Sequence, residues 1–501
     1  MTRRKKKVLF ITIGVITLAV VAGVLALLLN IKAIKPQIEA AASSALGMDV
    51  RIKGRMGIDV FPDFGLSLKD VNVQKRGSDV VTIEKMRIGL KLIPLARFEI
   101  KIIRVGLVKP VFSIVRFKNG MFNFEKPGPT LWKKLLVVGK ISVSHGSLVY
   151  TDETSGEKIE VGDFDLSMQH VASSGVGSSE PLKNISFTGE AGCKILKIYN
   201  LTLTNLVMIA SGEKGILDIN PVSMNLFGGT GEGSLHVDVT GTAPHYRVVY
   251  TLNRVRIEEL LQLYSLKKNP REIIEGPVDI SADLTAMGKS TDEARRSLNG
   301  DLSLSGENLM LYNIDIDALI MKYERSQSLN LVDVGAFFLV GPLGPVLTKS
   351  YNFASLYEES QGGKGTIRKL VSVWKVKDGI AEARDVALAT TKQRIAMKGK
   401  LNFVNERFVD VTVAALDQRG CAVYTEKVQG PFAKPRIEKE SIFKSFAGSV
   451  LNPLKGAWRF IQGQECTVFY SGSVAQPVNH TALHTAATAQ IPHRLMHCID
   501  F

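Results

Sequence analysis

Several things are scarce in this 501-residue sequence. Its four cysteines, Cys193, Cys421, Cys466 and Cys498, include no pair spaced closely enough for a zinc site. Half of its eight histidines, His480, His484, His493 and His497, crowd near the C-terminus. The others, His145, His170, His236 and His245, are scattered, with no Ser-His-Asp or Cys-His order around them. The glycine clusters fail as phosphate loops. "GGTGEGS" (228–234) runs into "LHVDV", a strand pattern, where a nucleotide site needs a helix N-terminus. "GGKGT" (362–366) lacks the Gly-x4-Gly-Lys-Ser/Thr order. These absences argue against an enzyme: no catalytic residues, no metal site and no cofactor are expected.

Acidic residues are scarce at the N-terminal end. Residues 1–120 hold 22 Lys/Arg and 8 Asp/Glu, a net of +14 out of +15 for the whole chain. A nucleic-acid binder places its charge on a recognisable folded module. Here the charge crowds toward an apolar run, which suits an anionic membrane surface, and no nucleic-acid partner is expected. The run is Val8 to Leu29, 22 residues without a charge. As a helix it is about 33 Å long, close to a bilayer's hydrocarbon thickness. A signal-peptide core is shorter and ends at a small-residue cleavage site, which "LLLNIKAIK" does not provide. The reading is an uncleaved membrane anchor over 8–29. Arg3, Arg4, Lys5, Lys6 and Lys7 precede it and hold the N-terminus in the cytoplasm, so the rest is exported. A second spanning segment is missing. The best stretch, Val334–Leu347, has 14 residues with two Pro and three Gly.

After the anchor, "KPQIEAAASSALG" reads as a short amphipathic helix, with Ile38, Ala42 and Ala45 on one face and Gly47 as its stop. The apolar period then changes from 3.6 to 2. Leu66 and Leu68 precede Val71 and Val73, with the parity slipping at Lys69–Asp70 as a bulge or turn would cause. Ile141 and Val143 lead through "SHG" to Leu148 and Tyr150, a hairpin signal. Alternation recurs at Leu235–Val239, Tyr246–Leu252, Val278–Leu284 and Val409–Val413. The chain is therefore mainly β and mostly antiparallel, with one apolar and one polar face per strand. Helices are few: 256–268, 290–298, and a kinked amphipathic one over 441–463. "EKPGPTLWKK" (125–134) reads as a linker and 475–501 as a flexible tail.

The order of parts resembles the AsmA family of Gram-negative bacteria. The likeness is carried by "GMDVRIKGRMGIDVFPDFGLSLKDVNV" after the anchor and helix, and by "IEKMRIGLKLIPLARFEIKIIRVGLVKPVFSIVRFKNGMFNFE" (83–125). "RRSLNGDLSLSGENLMLYNIDIDALI" (295–320), "DGIAEARDVALAT" (378–390) and "GKLNFVNERFVDVTVAAL" (399–416) resemble the family's C-terminal region. This divides the chain into a basic segment (1–7), the transmembrane helix (8–29), an AsmA-like N-terminal β module (31–126), a β-rich middle (127–265), an AsmA-like C-terminal region (266–474) and the tail.

The resemblance implies a single-pass inner-membrane protein with its bulk in the periplasm. It also implies an elongated, curled antiparallel sheet with an open apolar groove, similar to bridge-like lipid-transfer proteins, and a part in phospholipid traffic and outer-membrane assembly. Carrying an acyl chain through water exposes about 15 methylenes at roughly 0.8 kcal/mol each, on the order of 12 kcal/mol. A carrier needs a continuous apolar surface and no chemistry. Leu66, Leu68, Val71 and Val73 are the groove candidates nearest the membrane. Alternation alone also fits a sheet whose apolar face is filled by its own side chains. The competing function is a periplasmic scaffold for outer-membrane or secreted proteins, without lipid. Cys421 and Cys466 flank the last predicted strands, and a disulfide between them is expected to tie the terminal helix to the sheet.

Overall fold

The computed structural model describes residues 31–59, 64–91, 94, 101–124, 139–173, 183, 185–199, 201–262, 274–320, 338, 363–440 and 466–475. The basic cluster Arg3–Lys7, the anchor Val8–Leu29, Pro62, the linker 125–134 and the helix 441–463 lie outside them. Among the described residues no helix is long and apolar enough to cross a membrane. Among the described residues twenty-one strands and a few short helices make the chain mainly β. It divides into two compact units. The first holds Met1–Arg256, Asp279–Leu302 and Lys377–Gly379; the second holds Ile257–Val278, Ser303–Val376 and Ile380–Phe501.

The first unit opens on helix α1 (Ile31–Leu46), which starts before Pro36 and so carries that proline inside. Gly47, at φ 67°, ends the helix and donates its N–H to the Ser43 carbonyl at 2.9 Å. Strands β1 (Asp49–Ile52) and β2 (Met56–Asp59) follow and both pair with β3 (Gly65–Lys75). The sheet continues through β4 (Ser78–Leu90), β5 (Ile102–Arg116), β6 (Lys140–Asp152), β7 (Glu157–Ser173), β8 (Ile185–Ile198), β9 (Leu201–Glu213), β10 (Ile216–Leu226), β11 (Gly229–Asp238) and β12 (His245–Arg256). Each pairs with the next.

Two features depart from the sequence reading. First, β5 and β6 run parallel, joining residues on either side of the expected boundary at 126/127. After β5 the chain turns at Gly120 and makes one bridge back, Arg116 to Phe122. Asn123 then takes over where β4 has ended: its side chain accepts from Val115 N–H at 2.9 Å and donates to Ser113 C=O at 2.8 Å. The chain re-enters beside Arg104 at the opposite end of β5, which leaves a parallel pairing. Second, "SHG" is not a hairpin turn. β6 runs straight through it, with His145 at φ 54° as a bulge. The Asp163 carboxylate pairs with His145 Nδ1 at 2.7 Å, and Asp165 accepts the His145 backbone N–H at 3.1 Å.

That bulge is one of a series. Asp70, Lys109, His145, Asp163, Asn205 and Arg254 all have φ between 48° and 54°. Asp, Asn and His tolerate this region better than most residues. At each position the apolar alternation skips two residues, as at Leu68/Val71 in β3 and Leu107/Pro110 in β5. A bulge bends its strand and raises its twist. Repeated at one level from strand to strand, the bends give the sheet a shared crease. The two skipped residues face away from the apolar side and are mostly charged or polar. Lys109 pairs with Glu84 at 3.0 Å, and Asp163 binds both His145 and Lys194. Hydrogen bonds from Lys194 and His145 hold the Asp163 carboxyl below its ordinary value.

The second unit contains α2 (Ile257–Gln262) and β13 (Ile274–Glu275), whose Ile274 faces Leu311. In chain order come β14 (Pro277–Met287) and α3 (Thr291–Arg296), which from Asp279 on belong to the first unit, then β15 (Asn299–Tyr312), β16 (Lys364–Lys377), β17 (Ile380–Ala389), β18 (Arg394–Asn402), β19 (Arg407–Leu416), β20 (Ala422–Pro431) and β21 (Arg436–Glu440). Ser290 caps α3, accepting the Glu293 N–H at 3.2 Å. This unit has a filled core: Leu309, Leu311, Leu388, Ile395, Leu401 and Val413 have no solvent exposure. Cys421 and Cys466 are joined by a disulfide, and residues 466–475 dock behind it with Tyr470 and Val474 buried.

Candidate functional site

No described cluster of side chains has the form of a catalytic centre. The strongest metal-like group, His145, Asp163 and Asp165, is tied up in the β6 bulge and by Lys194. A cavity of about 600 Å³ lies in the first unit's sheet around Gly106, Ser142 and Ser167, with Arg87 and Glu190 at its sides and Leu107, Val143 and Leu166 also in its lining. The first five of these residues are neighbours along a single outward-facing row.

The other face carries a different pattern. Leu107, Val143, Leu166, Ala191, Met208 and Val222 sit opposite one another on successive strands β5 to β10. A second row beside it reads Val105, Ile141, Met168, then Gly189, Ala210 and Ile219, ending at Leu235 of β11. Across the crease a third row reads Phe112, Leu148, Val161, Leu196, Leu203 and Leu226. No charged or polar side chain interrupts these rows. At roughly 4.8 Å per strand, β3 to β12 present about 43 Å of apolar surface across the strands.

The exposure of this face separates it from the core of the second unit. Leu107, Leu166, Met208 and Val222 remain partly exposed. Among the described residues, α1 packs on β1 and β2 and no helix stacks on β6 to β12. The inward thiol of Cys193 sits between Phe164 and Leu206, and burial pushes its pKa up.

The sequence-predicted groove residues are brought together, but under cover. Leu68, Val71 and Val73 are 3%, 3% and 7% exposed, within a cluster that also holds Val50, Ile52 and Ile83. Leu66 packs against it. Ile38, Ala42 and Leu46 of α1 close it from above, which corrects the expectation that these four residues line the open surface. The helix also seals the sheet's free edge. Glu39 accepts the Ile52 N–H at 2.6 Å, and Ser43 accepts the Val50 N–H at 2.9 Å. The uncovered apolar surface starts beyond α1, on strands whose register the sequence reading did not resolve. Their signal was the same slip seen at Lys69–Asp70, repeated at Lys109, His145, Asp163 and Asn205.

The first unit is thus a creased β-sheet with one apolar face left largely uncovered among the described residues. The AsmA family model matches residues 1–194 and 183–337, about two thirds of the chain. The chain belongs to the AsmA family. The match takes in the β-rich middle, where the sequence reading saw no specific likeness. Comparison with curated proteins and with solved structures finds no match.

Proposed function

We propose that the protein binds the acyl chains of phospholipid on the apolar face of β5 to β12 and conducts them between inner and outer membranes, in support of outer-membrane biogenesis. In this reading Val8–Leu29 anchors the chain in the inner membrane, Arg3–Lys7 stay cytoplasmic, and the folded part is periplasmic. The observation that carries it is the set of apolar rows running through the first unit with partly exposed side chains. An uncapped apolar surface of this extent costs free energy in water unless something covers it. An acyl chain does so with no directional chemistry. α1 then closes the end of the face next to the anchor.

The test is photo-crosslinking in the full-length, membrane-inserted chain. A photoreactive side chain at Leu107, Leu166 or Met208 is expected to capture phospholipid, and one at Ser142 or Ser167 on the polar face is not. Capture of polypeptide instead of lipid at the apolar positions would favour the scaffold function.

A further inference from the structure

The glycines of "GGTGEGS" have a purpose apart from phosphate binding. Gly231 and Gly233 lie in β11 directly beneath the ring of Tyr250 on β12. A Cβ at Gly231 would stand 2.5 Å from the Tyr250 hydroxyl oxygen, and a Cβ at Gly233 would collide with the ring. The two glycines therefore form a bed on which the tyrosine lies flat. Tyr250 pairs with Gly233, which pairs with Val222 of the central apolar row. The ring thus continues that row onto β12.

The hydroxyl is the anomaly. It is buried, and no hydrogen-bond partner meets it among the described residues. A buried hydroxyl without a partner costs roughly 1–3 kcal/mol, and buried tyrosines ordinarily find an acceptor. Phenylalanine would fill the same bed without that cost. Val248 and Leu252 beside it on β12 and Val222 across β11 supply no acceptor. Desolvation accordingly raises the phenol's pKa, which keeps it a donor at any physiological pH.

The geometry points to Tyr250 as a hydrogen-bond donor to an acyl-ester carbonyl of the cargo, a polar fix point on an apolar track. This rests on the lipid-carrier function proposed above and narrows its substrate to ester-linked diacyl lipids. An acyl chain alone slides freely along rows of Leu, Val and Met. One donor in an otherwise apolar face favours the register in which a carbonyl meets it. In the empty protein apolar neighbours cover the hydroxyl. Cargo entering the crease parts them and brings the acceptor with it.

The test uses the full-length chain, loaded from an equimolar mixture of diester and diether phosphatidylglycerol with matched chains. Bound lipid is counted by native mass spectrometry. Wild type is expected to enrich the diester about three- to tenfold, the worth of one neutral hydrogen bond. Tyr250→Phe is expected to bind both forms equally and to melt no lower than wild type when empty, because it removes a group that has no partner. Equal binding of the two lipids by wild type would overturn the assignment and leave the carrier function standing; this arm needs no variant. Enrichment that survives in Tyr250→Phe would also overturn it. Absence of bound lipid in every arm would overturn the carrier function and this assignment together.

Discussion

Truncating one leucine in each unit separates an open apolar face from a filled core. Leu166 lies in the central row of β7 and is partly exposed. Leu401 lies in β18 between Ala381 and Phe408 and has no exposure. Leu→Ala removes about three methyl or methylene groups at roughly 0.8 kcal/mol each, some 2.4 kcal/mol of transfer free energy when burial is complete. At Leu401 the hole left behind cannot be reached by water, so a cavity contribution is added and the total should lie near 3–5 kcal/mol. At Leu166 part of the side chain is already wet and solvent fills the space, so the cost should stay near 1–2 kcal/mol. Hydrogen exchange of the strand amides around each site reads the two units separately, which a single melting curve would not. A Leu166→Ala cost equal to that of Leu401→Ala would mean that the first unit's face is packed shut, and the carrier function would lose its surface.

Other consequences follow from the same geometry. Asn205 sits at φ 52°, so Asn205→Val should destabilise by about 1–2 kcal/mol while Asn205→Gly costs less than about 1 kcal/mol, measured by local hydrogen exchange in β9. In the second unit burial would raise Asp385, yet hydrogen bonds from Tyr470 and Ser473 outweigh it and hold the carboxyl below 3.8. Burial, aided by Asp385, pushes the Tyr470 phenol up to about 12. A depressed acid stabilises above its unfolded value and loses that contribution as pH falls through the folded one. A raised phenol stabilises below 10 and loses its contribution as pH climbs toward about 12. Docking of residues 466–475 should therefore be constant between about pH 5 and 9 and weaken outside it, read by limited proteolysis; equal cleavage across the acid range would contradict this. The disulfide from Cys421 to Cys466 spans 45 residues, and reducing it should cost the second unit about 4 kcal/mol by loop-closure entropy. Non-reducing peptide mapping that finds both thiols free in the native protein would remove that link.

Much of the fold was legible in the alternation of residue types. The strand character of "GGTGEGSLHVDV", the α3 cap at Ser290 and the Gly47 stop were all local signals, and local physics decided them. The parallel entry of β6 was not legible, because it depends on Asn123 standing in for a missing strand, a contact no periodicity reports. "SHG" misled because a bulge and a hairpin turn share the same residue preferences; the Asp163 and Asp165 partners that keep His145 within one strand come from β7. The alternation made an apolar face legible, but not what covers it. Leu66, Leu68, Val71 and Val73 do form one apolar face, but the amphipathic stripe of α1 claims it. Such a stripe needs a partner, and the nearest apolar strands are the first to meet it. Tyr250 escaped notice because its meaning lies in a partner it lacks.

The most direct measurement of the central claim is lipid occupancy at Met208, a partly exposed member of the central row, substituted by cysteine. With Cys193→Ala and Cys498→Ser and the Cys421–Cys466 bridge intact, Met208→Cys supplies the single free thiol of the chain. The lipid-carrier account predicts that phospholipid protects it from a thiol-reactive probe in membranes and that delipidation exposes it. Alkylation at the same rate with and without phospholipid would contradict the account.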